Sequence, residues 1–554
     1  MRLWEQHKST VVHDLLAGAT GAVAGAPQAM GFALLAGVNP IYGLYAAIFP
    51  TIIGALASGS AFMTIAPTNV LMLLVANALA GFGSPNPPLP LFTLTLMVGL
   101  FQLLFAVMRL GVLTRFVSNA VIVGFITGAG VLIILGQLDH ITGYPVTSHS
   151  NALIRFWEWL RQLGRTDGQT LLVGISATLI IYYLHHTRFK SVATLIAIII
   201  TSTFVLVFGW TGVLMVRDLS PIPNVLPTPA LPNLSFLPSL MSAALATAVL
   251  ASVQSSALVE NLREIEPKPP NIHRDLVAQG LANIVGGLFQ GMPVCGSLSR
   301  SAVNLSAGAR TRLANLLSGV GVALIVLALA SLIERVTLAA LAGHLIVAAL
   351  NLIDSKAIRM VWRVNQAGRV AMVTTFVSTL VLPLEYSIYI GVVLHLALYA
   401  YTSSKNIHVV RLVPTDDHHF REEPLPTKLP SREPVILSVS GNLFFAAVRQ
   451  LEEMLPIVGK AEHPVVIFRL RDNEYLGSTG IRALRRYARQ LRARGGKLIL
   501  AGISPHVKTE LERTGAIQEF GMENVFYSND LVFGATEVAL HYAREWLASN
   551  PDGE

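Results

Sequence analysis

The chain has 554 residues, of which 53% are hydrophobic and only 13% charged, and its formal net charge is +8 at pH 7. Soluble domains carry about 25% charged residues, so this composition excludes an ordinary soluble globular protein. The net positive charge is typical of the cytoplasmic loops of membrane proteins, so nucleic-acid binding is not predicted, and the single Cys295 excludes a disulfide within the chain.

Apolar runs recur along most of the chain and predict a polytopic α-helical membrane protein embedded in a lipid bilayer. Residues 1–13 lack a small-residue cleavage site and are interpreted as an N-terminal cytoplasmic segment, not as a signal peptide. Length and apolarity then predict about fourteen membrane elements within a transmembrane domain over 14–403. They lie at 14–36, 40–57, 61–81, 89–108, 116–136, 169–184, 190–209, 238–262, 272–289, 291–308, 313–333, 336–352, 366–382 and 385–403.

Basic residues predict which side of the membrane each loop occupies. With the N-terminus inside, the predicted cytoplasmic loops hold most of the Lys and Arg residues between the elements, as the positive-inside rule requires. The predicted outside turns at 82–90 and 210–237 hold only Arg217. The loop 137–168 carries Arg155, Arg161 and Arg165, but long loops follow the rule poorly. The pattern therefore favours a cytoplasmic N-terminus.

The character of the chain changes after residue 403. Residues 404–433 are polar and rich in proline, which predicts a linker. Residues 434–549 alternate short β-prone runs with helical stretches, and the runs read VILSVS, PVVIFRL and KLILAG. This rhythm predicts an α/β domain with a largely buried sheet. The orientation of the spans places that domain in the cytoplasm.

The third and tenth elements are poor spanning helices. In the third, Pro67 suits the first turn of a helix, so the chain before it is predicted to be extended. In the tenth, Pro293 disfavours a helix, and Ser297 or Ser299 is suited to cap one that begins there. The two elements run in opposite directions, so their half-helices would point their N-termini toward each other. Interrupted segments in corresponding positions of two halves, here about 14–209 and 238–403, mark the binding site of an inverted-repeat transporter.

Arg300 lies directly after the second break, and the nearest acidic residues in sequence are Asp275 and Glu334. A buried Arg costs about 3 kcal/mol or more in a bilayer, so a site that retains one without a nearby carboxylate is best explained by an anionic ligand. Helix N-termini add free N–H groups and about half a positive charge each. The alternatives are that Arg300 reaches an interface or pairs with a distant acid such as Glu260.

Three stretches resemble the SulP family of anion permeases: DLLAGATGAVAGAPQAMGFALLAGVNPIYGLYAA at 14–47, IAPTNV at 65–70 and GSLSRSAVN at 296–304. The tail resembles a STAS domain through YLGSTGIRAL at 475–484 and GGKLILAGI at 495–503. The resemblance implies a seven-plus-seven inverted repeat divided into core and gate domains. It also implies a homodimer in the plasma (inner) membrane that carries small anions by secondary transport.

The same resemblance implies a central anion site. Carried over residue by residue, the site takes Gln28 and Phe32 from the first element, Thr68 from the third, and Ser299 and Arg300 from the tenth. Gln28 offers amide hydrogens without a charge, and the polarised ring edge of Phe32 suits a weakly hydrated anion. Considered singly, Gln28 is equally an interhelical hydrogen-bonding residue, Phe32 a packing residue and Thr68 a helix cap.

Two positions depart from the pattern of the family. Many relatives have an acidic residue in the eighth element, where this chain has Gln254, which lacks the charged oxygen that a sodium site needs. The coupling candidates are Gln254 and Glu260, the latter near the cytoplasmic end. In the tail, phosphoswitch relatives have an acidic residue where this chain has Gly477. Ser478 is therefore interpreted as the N-cap of a helix from Thr479 rather than as a phosphorylation site.

The sequence predicts a secondary active transporter of small inorganic or organic anions (sulfate, bicarbonate, chloride or dicarboxylate), coupled to protons or working by exchange. The chain has no phosphate loop, hydrolase elbow or metal-binding helix motif, so neither an enzyme nor a cofactor or metal is predicted. His344 is interpreted as a hydrogen-bonded residue of a helix interface. Two alternatives remain: an anion-responsive membrane sensor or motor that does not transport, and a nucleobase carrier of the same fold.

Overall fold

The computed structural model describes residues 2–550 except 84–87, 110–117, 145–151, 188, 220, 267–270, 406, 417–418, 442, 444 and 472. The chain forms two units, Met1–His395 and Leu396–Glu554. The predicted membrane elements all appear as helices or half-helices in the first unit, and the last of them continues into the second. The helices are α1 (Arg2–Leu35), α2 (Pro40–Ala46), α3 (Phe49–Ala57), α4 (Asn69–Leu79), α5 (Leu89–Val107), α6 (Asn119–Thr142), α7 (Ala152–Arg161), α8 (Gly168–His185), α9 (Ala193–Val207), α10 (Val216–Leu219), α11 (Leu237–Leu262), α12 (Ile272–Leu288), α13 (Leu298–Ser306), α14 (Leu313–Ile333), α15 (Leu338–Leu350), α16 (Ser355–Val364), α17 (Gln366–Val381) and α18 (Leu384–Ser404).

Within the described ranges, eight helical stretches of 18 to 29 residues are long and apolar enough to cross a membrane. Two further apolar helical stretches, Asn69–Phe82 and Ala193–Val207, are shorter. The loop predicted over 137–168 is corrected, because α6 continues to Thr142 and the amphipathic helix α7 lies inside it. An ion pair of 2.6 Å between Asp139 and Arg155 neutralises the polar end of α6, which allows the helix to extend beyond its apolar run.

The two interrupted elements cross each other as short strands before their half-helices begin. Strand β1 (Ile65–Ala66) pairs antiparallel with β2 (Cys295–Gly296), so that Ile65 faces Gly296. The half-helix α4 begins at Asn69, two residues after Pro67, and α13 begins at Leu298 with the Ser297 hydroxyl accepting from the Arg300 amide. The predicted half-helices and the cap at Ser297 are therefore present, and the crossing strands place the two N-termini side by side.

Buried amide side chains hold the crossing strands in place. Asn283 of α12 donates to the carbonyl of Val294 (2.9 Å) and accepts from its amide (2.7 Å). Asn315 of α14 donates to the Met63 carbonyl (3.2 Å) and accepts from the Thr64 hydroxyl (2.5 Å). Extended segments leave backbone groups that an apolar interior cannot satisfy, and these side chains supply the missing partners.

A stripe of small residues on α1 allows the neighbouring helices to approach closely. A Cβ added at Gly18 would lie 2.6 Å from the Leu317 Cβ of α14, and one added at Gly21 would lie 2.9 Å from the Ser318 hydroxyl. Small residues at this spacing favour tight helix packing in membranes because they let the backbones come together. The GATGAVAG segment of the sequence thus fixes how α1 packs on α14.

The second unit contains a six-stranded sheet with the order β4-β3-β5-β6-β7-β8. Its central strands β5 to β8 are parallel, and β3 runs antiparallel to both β4 and β5. The strands are β3 (His408–Asp416), β4 (His419–Glu423), β5 (Pro434–Ser440), β6 (Val465–Arg469), β7 (Lys497–Ile503) and β8 (Val525–Tyr527). The helices are α19 (Phe445–Met454), α20 (Gly477–Arg492), α21 (Pro505–Arg513), α22 (Ala516–Phe520) and α23 (Gly534–Ser549).

Both faces of this sheet are covered, as the β-prone runs predicted. Along β6, Val466 and Phe468 pack in one apolar cluster with residues of α19 to α22, whereas Val465 and Ile467 pack in another with residues of α23. A sheet buried on both faces reads as a continuous apolar run because successive side chains point to opposite sides. The run PVVIFRL has this pattern.

Two predictions for the tail are wrong. The segment 404–433, predicted as a linker, contains β3 and β4, and the misleading Pro414 lies at the irregularity between these strands, where a missing amide is tolerated. Ser478 is not an N-cap, because α20 begins at Gly477. The Glu510 carboxylate of α21 instead accepts from the amides of Leu476 (2.9 Å) and Gly477 (3.1 Å), a contact between segments distant in sequence.

Candidate anion site

A cavity of about 580 Å³ lies at the N-termini of the two half-helices. One side, which we call the core wall, is formed by residues of α1, α4, α11 and α13 with the turns before the half-helices. The opposite side, the gate wall, is formed by residues of α6, α8, α9 and α15 with the turn before α9. From the half-helix N-termini the cavity extends to Asn261, Ser306 and Asn351, at the ends of α11, α13 and α15, and to Lys190 between α8 and α9.

The first turns of both half-helices line this cavity through Thr68 and Asn69 on one side and Ser297 and Ser299 on the other. The opening amides of a helix have no carbonyl acceptor within the helix. The Val70 and Arg300 amides donate to the side chains of Asn69 and Ser297, which leaves the other opening amides as donors for a ligand. Both helix dipoles place partial positive charge at the same point. An anion in the cavity would therefore meet two sets of oriented donors without displacing any protein hydrogen bond within the helices.

Polar side chains around the half-helices are arranged as a connected set. The Gln28 amide nitrogen donates to the Ser299 hydroxyl over 3.2 Å and so joins α1 to α13. Gln254 of α11 accepts from the Thr68 hydroxyl (3.3 Å) and from the Cys295 thiol (3.2 Å) with its amide oxygen. With its oxygen occupied in this way, Gln254 keeps its amide N–H groups as donors on the cavity lining.

Phe32 is buried on the core wall and faces the gate wall. Its ring centroid lies 6.4 Å from that of His344, at an interplanar angle of 43°. Both residues line the cavity, so an aromatic ring edge is available to an anion there. The structure thus brings Gln28, Phe32, Thr68 and Ser299 to one cavity, together with Gln254.

Arg300 is placed differently from the other predicted ligands. Its side chain is 3% exposed and is absent from the cavity lining. A Cβ added at Gly25 would lie 2.0 Å from its Nη1 atom, so the guanidinium rests directly on the backbone of α1, and its Nη2 donates to Ser318 over 3.2 Å. Arg300 is therefore not a lining residue in this conformation, and its guanidinium lies against α1 and α14.

The carboxylates considered as partners of Arg300 are bonded elsewhere. Asp275 accepts from the Ser58 hydroxyl (2.7 Å) and the Gly59 amide (2.8 Å), and Glu334 accepts from the Ile222 amide (2.9 Å). Glu260 pairs with Arg263 over 3.3 Å on an exposed surface, and it does not line the cavity. Among the described residues, then, no acid neutralises Arg300, whose positive charge stays available to a ligand.

Sequence reasoning missed several polar residues of the gate wall and the cavity mouth. His344, interpreted as a satisfied interface histidine, has one ring nitrogen bonded to the Thr194 hydroxyl and the other without a partner among described residues. Lys190 and His185 also line the cavity. Lys190 follows the sixth element in the sequence, but it is far from the half-helices along the chain, so the sequence alone does not show that it lies near them.

In the described ranges, no group of three His, Cys, Asp or Glu residues is arranged to hold a metal ion.

The opposed half-helices and the cavity at their N-termini define a polytopic helical membrane transporter. A model of the sulfate permease family matches residues 11–375, and a model of the STAS domain matches residues 427–530. The chain belongs to the sulfate permease family, whose members are anion transporters and not enzymes. The predicted family, the STAS domain and the fold class are therefore confirmed.

Relatives with curated descriptions support the same assignment. The probable sulfate transporter 4.2 of Arabidopsis thaliana is 29% identical in sequence, over 96% of this chain and 81% of its own length. The putative sulfate transporter YvdB of Bacillus subtilis is 27% identical, over 94% of this chain and 97% of its own length.

Solved structures share the fold. That of murine solute carrier 26 family member A9, an anion transporter in the inward-facing state, has a TM-score of 0.84 at 19% identity and covers 97% of this chain and 92% of that one. The transmembrane domain of the cyanobacterial bicarbonate transporter BicA has a TM-score of 0.60 at 23% identity, over 70% of this chain and 97% of that one.

Proposed function

We propose that the chain is a secondary active transporter of small anions that works by alternating access. The observation that carries the proposal is the convergence of the N-termini of α4 and α13 on one cavity, with the unneutralised charge of Arg300 behind it. Relatives named as sulfate transporters, and a structural neighbour named as a bicarbonate transporter, support an oxyanion as substrate.

The charge of the site favours substrates with one or two negative charges. At the half-helices, Arg300 supplies one full charge and the two helix N-termini supply about half a charge each. Lys190 adds its charge at the cavity mouth, and the described lining contains no carboxylate. Sulfate, bicarbonate, chloride and small dicarboxylates all satisfy this condition. A nucleobase is disfavoured, because Gln254 stands where an acidic group would bind the base.

The cavity of this conformation faces the cytoplasm under the predicted orientation. Lys190, Ser306 and Asn351 all lie at ends of membrane elements that the positive-inside pattern assigns to the cytoplasmic side. The likeness to a structure described as inward-facing supports this assignment. Transport then requires the core wall to move against the gate wall so that Gln28, Thr68 and Ser299 reach the other side. The N-terminus and the STAS domain stay in the cytoplasm, and the protein resides in the plasma membrane.

Proton symport or anion exchange fits the site better than sodium symport. A sodium site needs several oxygen ligands, of which charged carboxylates are the strongest. Gln254 is neutral, and its amide oxygen already accepts from Thr68 and Cys295. Glu260 is exposed and paired with Arg263 outside the cavity lining.

We also propose that the protein acts as a homodimer, which the family resemblance implies and which mass photometry of the purified protein tests.

Flux measurements on purified protein in proteoliposomes test the proposal. Radiolabelled sulfate uptake, competed by bicarbonate, chloride, fumarate and uracil at several pH values, should saturate and be inhibited by the preferred anion. Uptake should not depend on sodium. Anion binding without flux would favour a non-transporting sensor or motor, and inhibition by uracil alone would favour a nucleobase carrier. Either result would contradict the proposed function.

A further inference from the structure

His344 occupies an unusual position on the gate wall of the cavity. Its side chain is 6% exposed, and its Nδ1 atom lies 3.0 Å from the Thr194 hydroxyl of α9. Its Nε2 atom is buried and has no partner among the described residues. A buried ring nitrogen without a partner is costly, and such groups in native proteins call for an explanation. When Nδ1 carries the hydrogen and donates to Thr194, Nε2 is a free acceptor.

The surroundings of this imidazole are positively charged or neutral. Thr194 of α9 bonds to it, the Phe32 ring of α1 lies 6.4 Å away, and His185 of α8 and Ile126 of α6 line the same cavity. Lys190, before α9, also lines the cavity, and the Arg300 guanidinium lies against Gly25 of α1. No described carboxylate lines the cavity, so an imidazolium here has no counter-ion within the protein.

We infer that His344 is the proton-binding residue of the transport cycle and that the transported anion is its counter-ion. The inference rests on the proposed function and names the residue that couples it to protons. A proton from solution binds the lone pair of Nε2 when the anion enters, and it returns to solution when the anion leaves. No other bond forms or breaks.

Electrostatics makes the two binding events cooperative. In the empty cavity, the half-helix N-termini and Arg300 oppose a further positive charge on His344. A bound anion removes this opposition and attracts the imidazolium. Binding linkage is reciprocal, so protonation raises anion affinity by the same factor by which the anion raises proton affinity. Histidine is suited to this role because its charge changes between about pH 5 and about pH 8.

The position of His344 also ties its protonation to the conformation. The Cδ2 atom of its ring lies 3.5 Å from where a Cβ at Gly31 would be, on the same helix as Phe32 and Gln28. His344 belongs to the gate wall and α1 to the core wall. When the core wall moves, the imidazole exchanges these neighbours, so its proton affinity changes in step with access.

Proton uptake on anion binding tests the inference directly. Purified full-length protein in weakly buffered detergent solution is titrated with sulfate and, separately, with chloride, which keep their charge between about pH 5 and about pH 8. The wild type should take up protons when at least one of these anions binds. The affinity for that anion should fall about tenfold as the pH rises from about 5 to about 8, because His344 loses its proton. His344→Gln should bind the anion at every pH with the low affinity that the wild type shows at about pH 8, and it should take up no protons. His273→Gln, on the exposed surface of α12 and outside the cavity lining, is the matched control and should keep both effects.

Proton uptake that survives in His344→Gln would overturn the inference, as would a wild type that takes up no protons with either anion. Absence of flux for every anion of the panel would instead contradict the proposed function. If His344→Gln fails to fold, Thr194→Val serves in its place, because it keeps the imidazole and removes the partner of Nδ1. Its pH midpoint for anion affinity should shift from that of the wild type, and an unchanged midpoint would overturn the inference.

Discussion

Arg300 owes its position to the glycine beneath it. Two unit charges about 6 Å apart interact by about 3 kcal/mol at an effective dielectric constant of about 20, so at that distance from a bound anion the unneutralised guanidinium would be a strong source of the proposed affinity. The guanidinium occupies the space that a side chain at position 25 would fill. A glycine in the family motif of α1 therefore determines where the positive charge of the site lies.

Replacement of Gly25 by alanine should weaken anion binding although Arg300 remains present. The added Cβ would lie 2.0 Å from Nη1, so the guanidinium must move away from its position behind the site. We expect a loss of affinity of about tenfold or more, measured by sulfate uptake at varied concentration. Gly136→Ala is the matched control, since a Cβ there meets no atom within 4 Å. Equal affinities in the two variants would contradict this account.

Removal of the charge itself should have a larger effect. Arg300→Gln keeps a hydrogen-bonding side chain near Ser318 but removes the positive charge, so we expect affinity to fall by about a hundredfold. Saturable uptake over a concentration series measures the change. Arg359→Gln, on the exposed surface of α16, should leave uptake unaltered. If Arg300→Gln retained the affinity of the wild type, the charge would play no part in binding.

At the residue scale, the sequence predicted which residues belong to the candidate site better than it predicted where their side chains point. The breaks at Pro67 and Pro293 and the cap at Ser297 follow from local backbone chemistry, so they could be read from the chain. The side chain of Arg300 points to Gly25 and Ser318 because α1 and α14 pack against α13, which is a tertiary fact. The free nitrogen of His344 likewise depends on its distance from Thr194 of another helix.

The two half-helices are held next to each other because neighbouring helices bond to the extended segments that precede α4 and α13. Asn315 of α14 is the main attachment for one segment, with bonds to the carbonyls of Ala61 and Met63 and to the hydroxyl of Thr64. It also accepts from Asn304 of α13 over 2.8 Å. One amide therefore connects both half-helix elements to α14.

Asn315→Ala should destabilise the transmembrane unit. It removes the bonds that Asn315 makes to two backbone carbonyls, the Thr64 hydroxyl and the Asn304 amide, which costs about 2–4 kcal/mol. Thermal unfolding of the purified protein, followed by loss of the monodisperse species, should begin several degrees lower than in the wild type. Asn351→Ala is the control, because Asn351 is exposed at the end of α15. Similar unfolding temperatures for both variants would show that the Asn315 bonds do not stabilise the crossing strands.

In the second unit, helix α20 begins without a cap from its own segment. Leu476 is the N-cap residue and makes no side-chain cap, and the Glu510 carboxylate takes that role. Glu510→Ala should therefore loosen the first turn of α20 by about 1 kcal/mol, so that its amides exchange about fivefold faster. Hydrogen exchange of the full chain measures this. Glu512→Ala, whose carboxylate lies 3.8 Å from Lys508, is the matched control and should not alter exchange there.

Element positions were predictable where one physical property decides them. The membrane helices follow from long apolar runs, and most observed bounds lie close to the predicted ones; α14 spans 313–333 in both. The strand β3 was missed because its sequence, HVVRLVPTD, contains charges and a proline. Its burial depends on pairing with β5, which a local pattern does not reveal.

At the scale of the whole molecule, alternating access requires that the two ends of the transmembrane unit differ in exposure. In this conformation the cavity reaches the helix ends that carry Lys190 and Asn351, which are assigned to the cytoplasm by the pattern of basic residues. The opposite end contains the residues 210–237 that join α9 to α11. The exposure of the two ends can be compared by labelling introduced cysteines, because the one cysteine of the chain, Cys295, is 0% exposed.

Cysteine labelling should therefore report both the orientation and the open side. Ser306→Cys, on the cavity lining, should react with a membrane-impermeant maleimide in inside-out vesicles and not in right-side-out vesicles. Ser235→Cys, exposed in the segment before α11, should show the reverse pattern. The wild type should react in neither preparation, since Cys295 is buried, and it serves as the control. Under the proposed alternating access, a preferred anion that shifts the population outward should slow the labelling of Ser306→Cys without altering that of Ser235→Cys. Labelling of Ser306→Cys from the outside alone would reverse the proposed orientation.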